Sequence, residues 1–136
     1  MIYLTRRERF SAAHRLFNPA LSDEENLEQF GQCANPNWHG HNYILWVTVK
    51  GELNPDTGYV VNLKEVSQLL KEKVVDKLDH KNINLDVDFM KDIIVSTENL
   101  AIAIWNELKL HIEEMGIELH CVKIQETENN VVEYFG

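Results

Sequence analysis

The chain has 136 residues, room for one domain with its own core and little more. It is 44% apolar and 26% charged, as a soluble globular protein is, and its formal charge of −9 argues against nucleic acid as the main partner. It contains no run of about 18 apolar residues to span a membrane, and the opening MIYLTRRERF lacks the basic-then-apolar order of a secretory signal.

Residues 2–13 are extended in character and end in FSAAH. Residues 15–38 form a long loop, in which Ser22 and Glu25 have capping-box spacing for a turn or two of helix. The stretch HGHNYILWVTVKGEL (39–53) alternates and is rich in β-branched and aromatic residues, which predicts a strand. NPDTG (54–58) is a turn. Asn62 caps a helix that runs to about Leu78, with Leu63, Val66, Leu70, Val74 and Leu78 as its apolar stripe. A second loop leads to Ser96 or Thr97, which caps a helix continuing to Gly116. IELHCVKIQE and VVEYF are two strands around a turn at Glu128-Asn129-Asn130.

The expected fold is a single α+β domain over residues 1–136: an antiparallel four-stranded sheet in the order β-β-α-α-β-β, with two helices on one face. The other face and the edges need cover. Other copies of the chain supply it most simply, so an oligomer is expected. The two cysteines, Cys33 and Cys121, do not make a disulfide framework, which favours a reducing compartment and a cytoplasmic location.

His39 and His41 flank Gly40 at the start of a strand, where residues two apart point to the same side and can share an ion. His14 ends the strand expected to pair with theirs. Three imidazoles and an open fourth position are the catalytic type of zinc site. The competing interpretation of His14 is a satisfied polar residue at a strand end. Cys33 is either a fourth ligand, which would close the site, or a free thiol beside the metal that needs activation as a base or nucleophile. Asp79 and His80 are a candidate activating pair, and also an ordinary helix terminator. His111, His120 and Cys121 suit surface or packing roles. Arg6, Arg7, Arg9 and Arg15 form either a solvated strand face or an anion site for a phosphorylated small molecule.

FSAAH, CANPNWHGHNY, GYVVNL, LDHKNIN, STENLAIAIW and ETENN occur in order over nearly the whole chain. Together they resemble the 6-pyruvoyltetrahydropterin synthase family. The resemblance implies the tunnelling fold (T-fold) and a homohexamer built as a dimer of trimers, with active sites between subunits. It implies a carbon–oxygen lyase that eliminates triphosphate from 7,8-dihydroneopterin triphosphate, with internal redox of the side chain to give 6-pyruvoyltetrahydropterin. By the same resemblance His14, His39 and His41 hold Zn²⁺, and Cys33 takes substrate protons. Asp79 and His80 activate the thiol. Glu126 anchors the pterin, with Thr97 and Glu98 at positions that also hold it. Trp38 stands where the family usually has glycine, Ser96 replaces a usual threonine, and Ala13 a common serine.

The alternative within the superfamily is 6-carboxytetrahydropterin synthase of the queuosine pathway, which uses the same substrate and releases acetaldehyde. The five residues between Cys33 and His39, together with Asn62 and ETENN, favour the pyruvoyl type. A zinc-binding oligomeric module without catalysis would have no use for Cys33, Asp79, His80 and Glu126 together.

Overall fold

Alternating residues build a long hairpin first. The computed structural model describes residues 1–136, and in it β1 (Ile2–His14) pairs antiparallel with β2 (His39–Gly51) along their whole length, from Ile2 opposite Gly51 to His14 opposite His39. Successive side chains leave on opposite faces. Phe10, Ala12 and His14 of β1 are therefore buried on the same face as Tyr43, Leu45, Val47 and Val49 of β2. β4 (Glu118–Thr127) adds to β2, and β5 (Asn130–Tyr134) adds to β4.

The sequence predicts four strands and the structure has five. The additional one, β3 (Lys81–Asn82), runs parallel to the end of β1, with Lys81 opposite Ala12 and Asn82 opposite Ala13. The sheet order is β3-β1-β2-β4-β5. Two polar contacts fix β3 there. The His80 N–H donates to the Ser11 carbonyl at 2.6 Å, and the Ser11 N–H donates to Asp79 Oδ1 at 2.9 Å. Two residues are too few for a strand periodicity to show in sequence.

The helices follow their caps. α1 (Asp23–Phe30) begins with the expected capping box: Ser22 Oγ accepts from the Glu25 N–H at 3.1 Å and the Ser22 N–H donates to Glu25 Oε2 at 2.8 Å. A tight 3₁₀ turn, Gly31–Ala34, carries Cys33. Asn62 caps α2 (Leu63–Leu70), which runs through a π turn (Lys71–Val75) into α3 (Asp76–Leu78) as one continuous rod. Val66, Leu70, Val74 and Leu78 of the expected stripe are buried, but Leu63, in the first turn, is exposed. A short α4 (Ile83–Asp86) precedes α5 (Thr97–Glu114), whose Ser96 cap accepts from the Asn99 N–H at 3.1 Å.

Val66 and Leu70 of α2 and Leu100, Ile104 and Leu108 of α5 join Leu45, Val47 and Ile124 of the sheet in one core cluster. The opposite sheet face carries Thr5, Arg7, Arg9, Trp46 and Thr48, and no helix covers it.

Candidate metal and substrate site

The hairpin register puts His14 directly across from His39, and His41 across from Ala12. The three imidazoles therefore meet on the helix-covered face at one end of the sheet. Ring centroids lie 4.6 Å (His14–His39), 5.1 Å (His14–His41) and 4.9 Å (His39–His41) apart. One ligand nitrogen from each lies within 4.8 Å of the others.

Hydrogen bonding decides which nitrogen of His14 is free. Its Nδ1 lies 2.8 Å from the Val95 carbonyl, an acceptor, so Nδ1 carries the proton and Nε2 keeps its lone pair. Nε2 of His14, Nε2 of His41 and Nδ1 of His39 are all buried without a protein partner. Burial and the neighbouring rings lower the pKa of His14 to about 4, and burial also lowers that of His39. Both rings are thus neutral near pH 7, the form that ligates metal. Three converging imidazoles with orphaned nitrogens fit a divalent ion of the zinc type, and the donor set leaves a coordination position open.

Glu126 reaches this triad through a bulge. Gln125 pairs with Val131 and Thr127 with Asn130, leaving Glu126 out of register between them. Such a bulge re-aims a side chain. Its Oε2 lies 3.9 Å from His14 Nε2, and its Oε1 3.9 Å from His41 Nε2. Thr97, the first residue of α5, donates its hydroxyl to Glu126 Oε2. Cys33 arrives from the loop between β1 and β2, where its carbonyl accepts from the Leu16 N–H at 2.8 Å. His14, Cys33, Thr97, Glu98 and Glu126 line one cavity of about 380 Å³.

Asp79 and His80 are elsewhere. His80 Nδ1 lies 2.9 Å from Asp79 Oδ2, so the pair exists, and the Ser11 N–H, followed by the His80 ring, holds Asp79 below the usual carboxylate range. Yet the pair lines clefts with Ser11 and Asn42, and within one chain it does not reach the Cys33 cavity. His80 has φ 59° and its side chain is 83% exposed. The arginines divide as well. Arg6 pairs with Glu8 at 2.9 Å, while Arg7 and Arg9 share a cleft with Asp79 and His80.

Sequence reasoning missed two participants. The Val95 carbonyl left no signal, because a backbone acceptor carries no residue code. Tyr43 did leave one, since it shares the parity of His39 and His41. Its ring is 5.5 Å from that of His41, its hydroxyl is buried without a partner, and burial raises its pKa far above the ordinary phenol value. His120 packs edge-on against Tyr3 at 4.7 Å, His111 lies 3.5 Å from Glu114, and Cys121 is buried, in keeping with packing and surface roles.

A family model described as 6-pyruvoyl tetrahydropterin synthase matches residues 3–136. The chain is 50% identical over 135 residues to a 6-pyruvoyl tetrahydrobiopterin synthase of Dictyostelium discoideum, covering 99% of this chain and 96% of that one. Its fold superposes with a TM-score of 0.92 on the Caenorhabditis elegans 6-pyruvoyl tetrahydropterin synthase structure, at 40% identity, covering 99% of this chain and 95% of that one. A 6-carboxy-5,6,7,8-tetrahydropterin synthase of Bacillus subtilis is 29% identical over 100 residues, 71% of this chain and 64% of that protein.

Proposed function

Since the chain belongs to the 6-pyruvoyl tetrahydropterin synthase family, we propose that it converts 7,8-dihydroneopterin triphosphate to 6-pyruvoyltetrahydropterin, releasing inorganic triphosphate as a carbon–oxygen lyase. The observation that carries this reading is the cavity in which His14 of the histidine triad, Glu126 with Thr97, and Cys33 meet. His14, His39 and His41 would hold Zn²⁺, which supplies Lewis acidity toward the hydroxyls of the substrate side chain.

The chain's own groups do the rest. Glu126 accepts two N–H bonds from the amino-pyrimidinone edge of the pterin, a charge-assisted pairing that sets its orientation. The Thr97 hydroxyl holds that carboxylate, and Glu98 borders the same cavity. The Cys33 thiolate removes protons from the side-chain carbons. An exposed thiol on a 3₁₀ turn needs a partner for that work. Asp79 and His80 of a neighbouring copy fill the role: His80 projects into solvent, and Asp79 orients its ring. The active site then lies between subunits of a homohexamer.

Incubation of the zinc-loaded protein with 7,8-dihydroneopterin triphosphate tests the proposal. Triphosphate release with a pyruvoyl product is expected. Acetaldehyde and a 6-carboxy product would establish the other synthase, and no turnover would leave a metal-binding module.

A further inference from the structure

Arg15 follows His14 directly and Trp38 precedes His39, so the two residues stand side by side just past the end of the hairpin that holds the triad. The Arg15 guanidinium carbon lies 4.3 Å from the Phe17 ring centroid and 4.7 Å from that of Trp38. All three side chains are half-buried. The Arg15 backbone is also tied down: its N–H donates to Asn84 Oδ1 at 3.1 Å and its carbonyl accepts from Asn84 Nδ2 at 3.0 Å. Its charge is nevertheless unanswered. Arg15 forms no ion pair, and its Nε is buried without a hydrogen-bond partner.

A second observation points the same way. Trp38 has φ 67°, a left-handed conformation that a bulky side chain seldom adopts. The ring held there at such a cost lies against Arg15. A stacked guanidinium is pre-organised, so little freedom is lost when its planar fork takes up an anion. In a chain with 22 acidic side chains, a fixed cation with no carboxylate beside it is a receptor for an anion from outside.

On the reading proposed above Glu126 holds the pterin and the triad the substrate's side chain, and Arg15 and Trp38 adjoin the ligands His14 and His39 directly in the chain. We infer that Arg15, clamped by Phe17 and Trp38, binds the triphosphate of the substrate. Several adjacent anionic oxygens suit a bidentate guanidinium. This rests on the substrate proposed above, although both candidate synthases share that substrate and the inference holds for either. Arg6 is already paired with Glu8.

The test is calorimetric titration of inorganic triphosphate into the zinc-loaded oligomer, with zinc content and melting temperature checked for each variant. Arg15→Gln should weaken binding by about tenfold or more, the scale of one lost charge-assisted pair. Arg15→Lys keeps the charge without the fork and should fall between. Trp38→Gly keeps Arg15 but frees it, and should weaken binding roughly threefold. Kinetically, Arg15→Gln should raise KM about tenfold with kcat changed less than about threefold. Wild-type affinity for triphosphate in folded Arg15→Gln overturns the inference, as does a fall in kcat at unchanged KM. If Arg15→Gln does not fold, Arg15→Lys and Trp38→Gly decide, and wild-type affinity in both overturns it. Because binding is read without turnover, a different reaction product bears on the proposed function and not on Arg15.

Discussion

The Val95 carbonyl settles the tautomer of His14, and burial settles its charge. With its pKa near 4 in the folded chain against an ordinary 6.5, His14 refuses a proton that the unfolded chain accepts. The sign follows. Above pH 6.5 the ring is neutral in both states and the folded state keeps its full stability. As pH falls from 6.5 towards 4, protonation favours the unfolded chain. The metal-free protein should lose up to about 3 kcal/mol across that window, measured by urea denaturation at each pH in the presence of a chelator. A flat profile would mean that His14 is not buried as described. Cys33 and His41 separate the metal from the proton chemistry at this same scale. Cys33→Ala should keep zinc near one per subunit and lose turnover by at least about a hundredfold, as removal of a general base does. His41→Ala removes an imidazole of the triad and should lose both metal and activity. Zinc loss from Cys33→Ala would make the thiol a ligand. The residue code was legible at these positions because histidine two apart on a strand has a fixed geometric meaning. The partner of Nδ1 was not, since any residue type at position 95 offers the same carbonyl.

Secondary-structure elements bring the two halves of the site together. α5 begins at Thr97 beside the β4 bulge that carries Glu126, so the Thr97 hydroxyl joins a helix N-terminus to a strand irregularity. Replacing the hydroxyl with a methyl removes the donor that orients the carboxylate. Thr97→Val should raise KM for the pterin substrate about tenfold, the scale of one hydrogen bond to a charged group, while zinc content stays at the wild-type level. Unchanged KM would release Thr97 from the site. Caps and stripes were readable in advance: Ser22, Asn62 and Ser96 all cap their helices, and Val66, Leu70, Val74 and Leu78 are all buried. The bulge was not readable. Gln125, Glu126 and Thr127 are three polar residues in a row, and alternation assigns no face to any of them. β3 was hidden for a related reason. It is held by the Asp79 side chain and the His80 N–H on Ser11, contacts between positions 68 or 69 residues apart, which no local pattern records.

At the scale of the molecule, the proposed hexamer would answer two features of the single chain. The first is the sheet. β3 covers only the last residues of β1, so the rest of the β1 edge is unpaired, and β5 is the opposite edge. Open edges on a well-ordered sheet invite pairing with further copies, and a head-to-tail arrangement closes into a ring. The exposed Tyr3, Val131 and Phe135 lie on or beside those two edges, where association would cover them. The second is the site. Cys33 lines the cavity of His14 and Glu126, while Asp79 and His80 open into other clefts of the same chain. Association of copies answers both features if it carries one chain's His80 to another's Cys33. Complementation tests this directly. Cys33→Ala and His80→Ala should each be nearly inactive when pure. Co-expressed and assembled at random, they should regain about a quarter of wild-type activity, because one site in four takes its thiol from a His80→Ala chain and its imidazole from a Cys33→Ala chain. If each site drew both groups from a single chain, every mixed site would still lack one of them, and the mixture would stay as inactive as its parents.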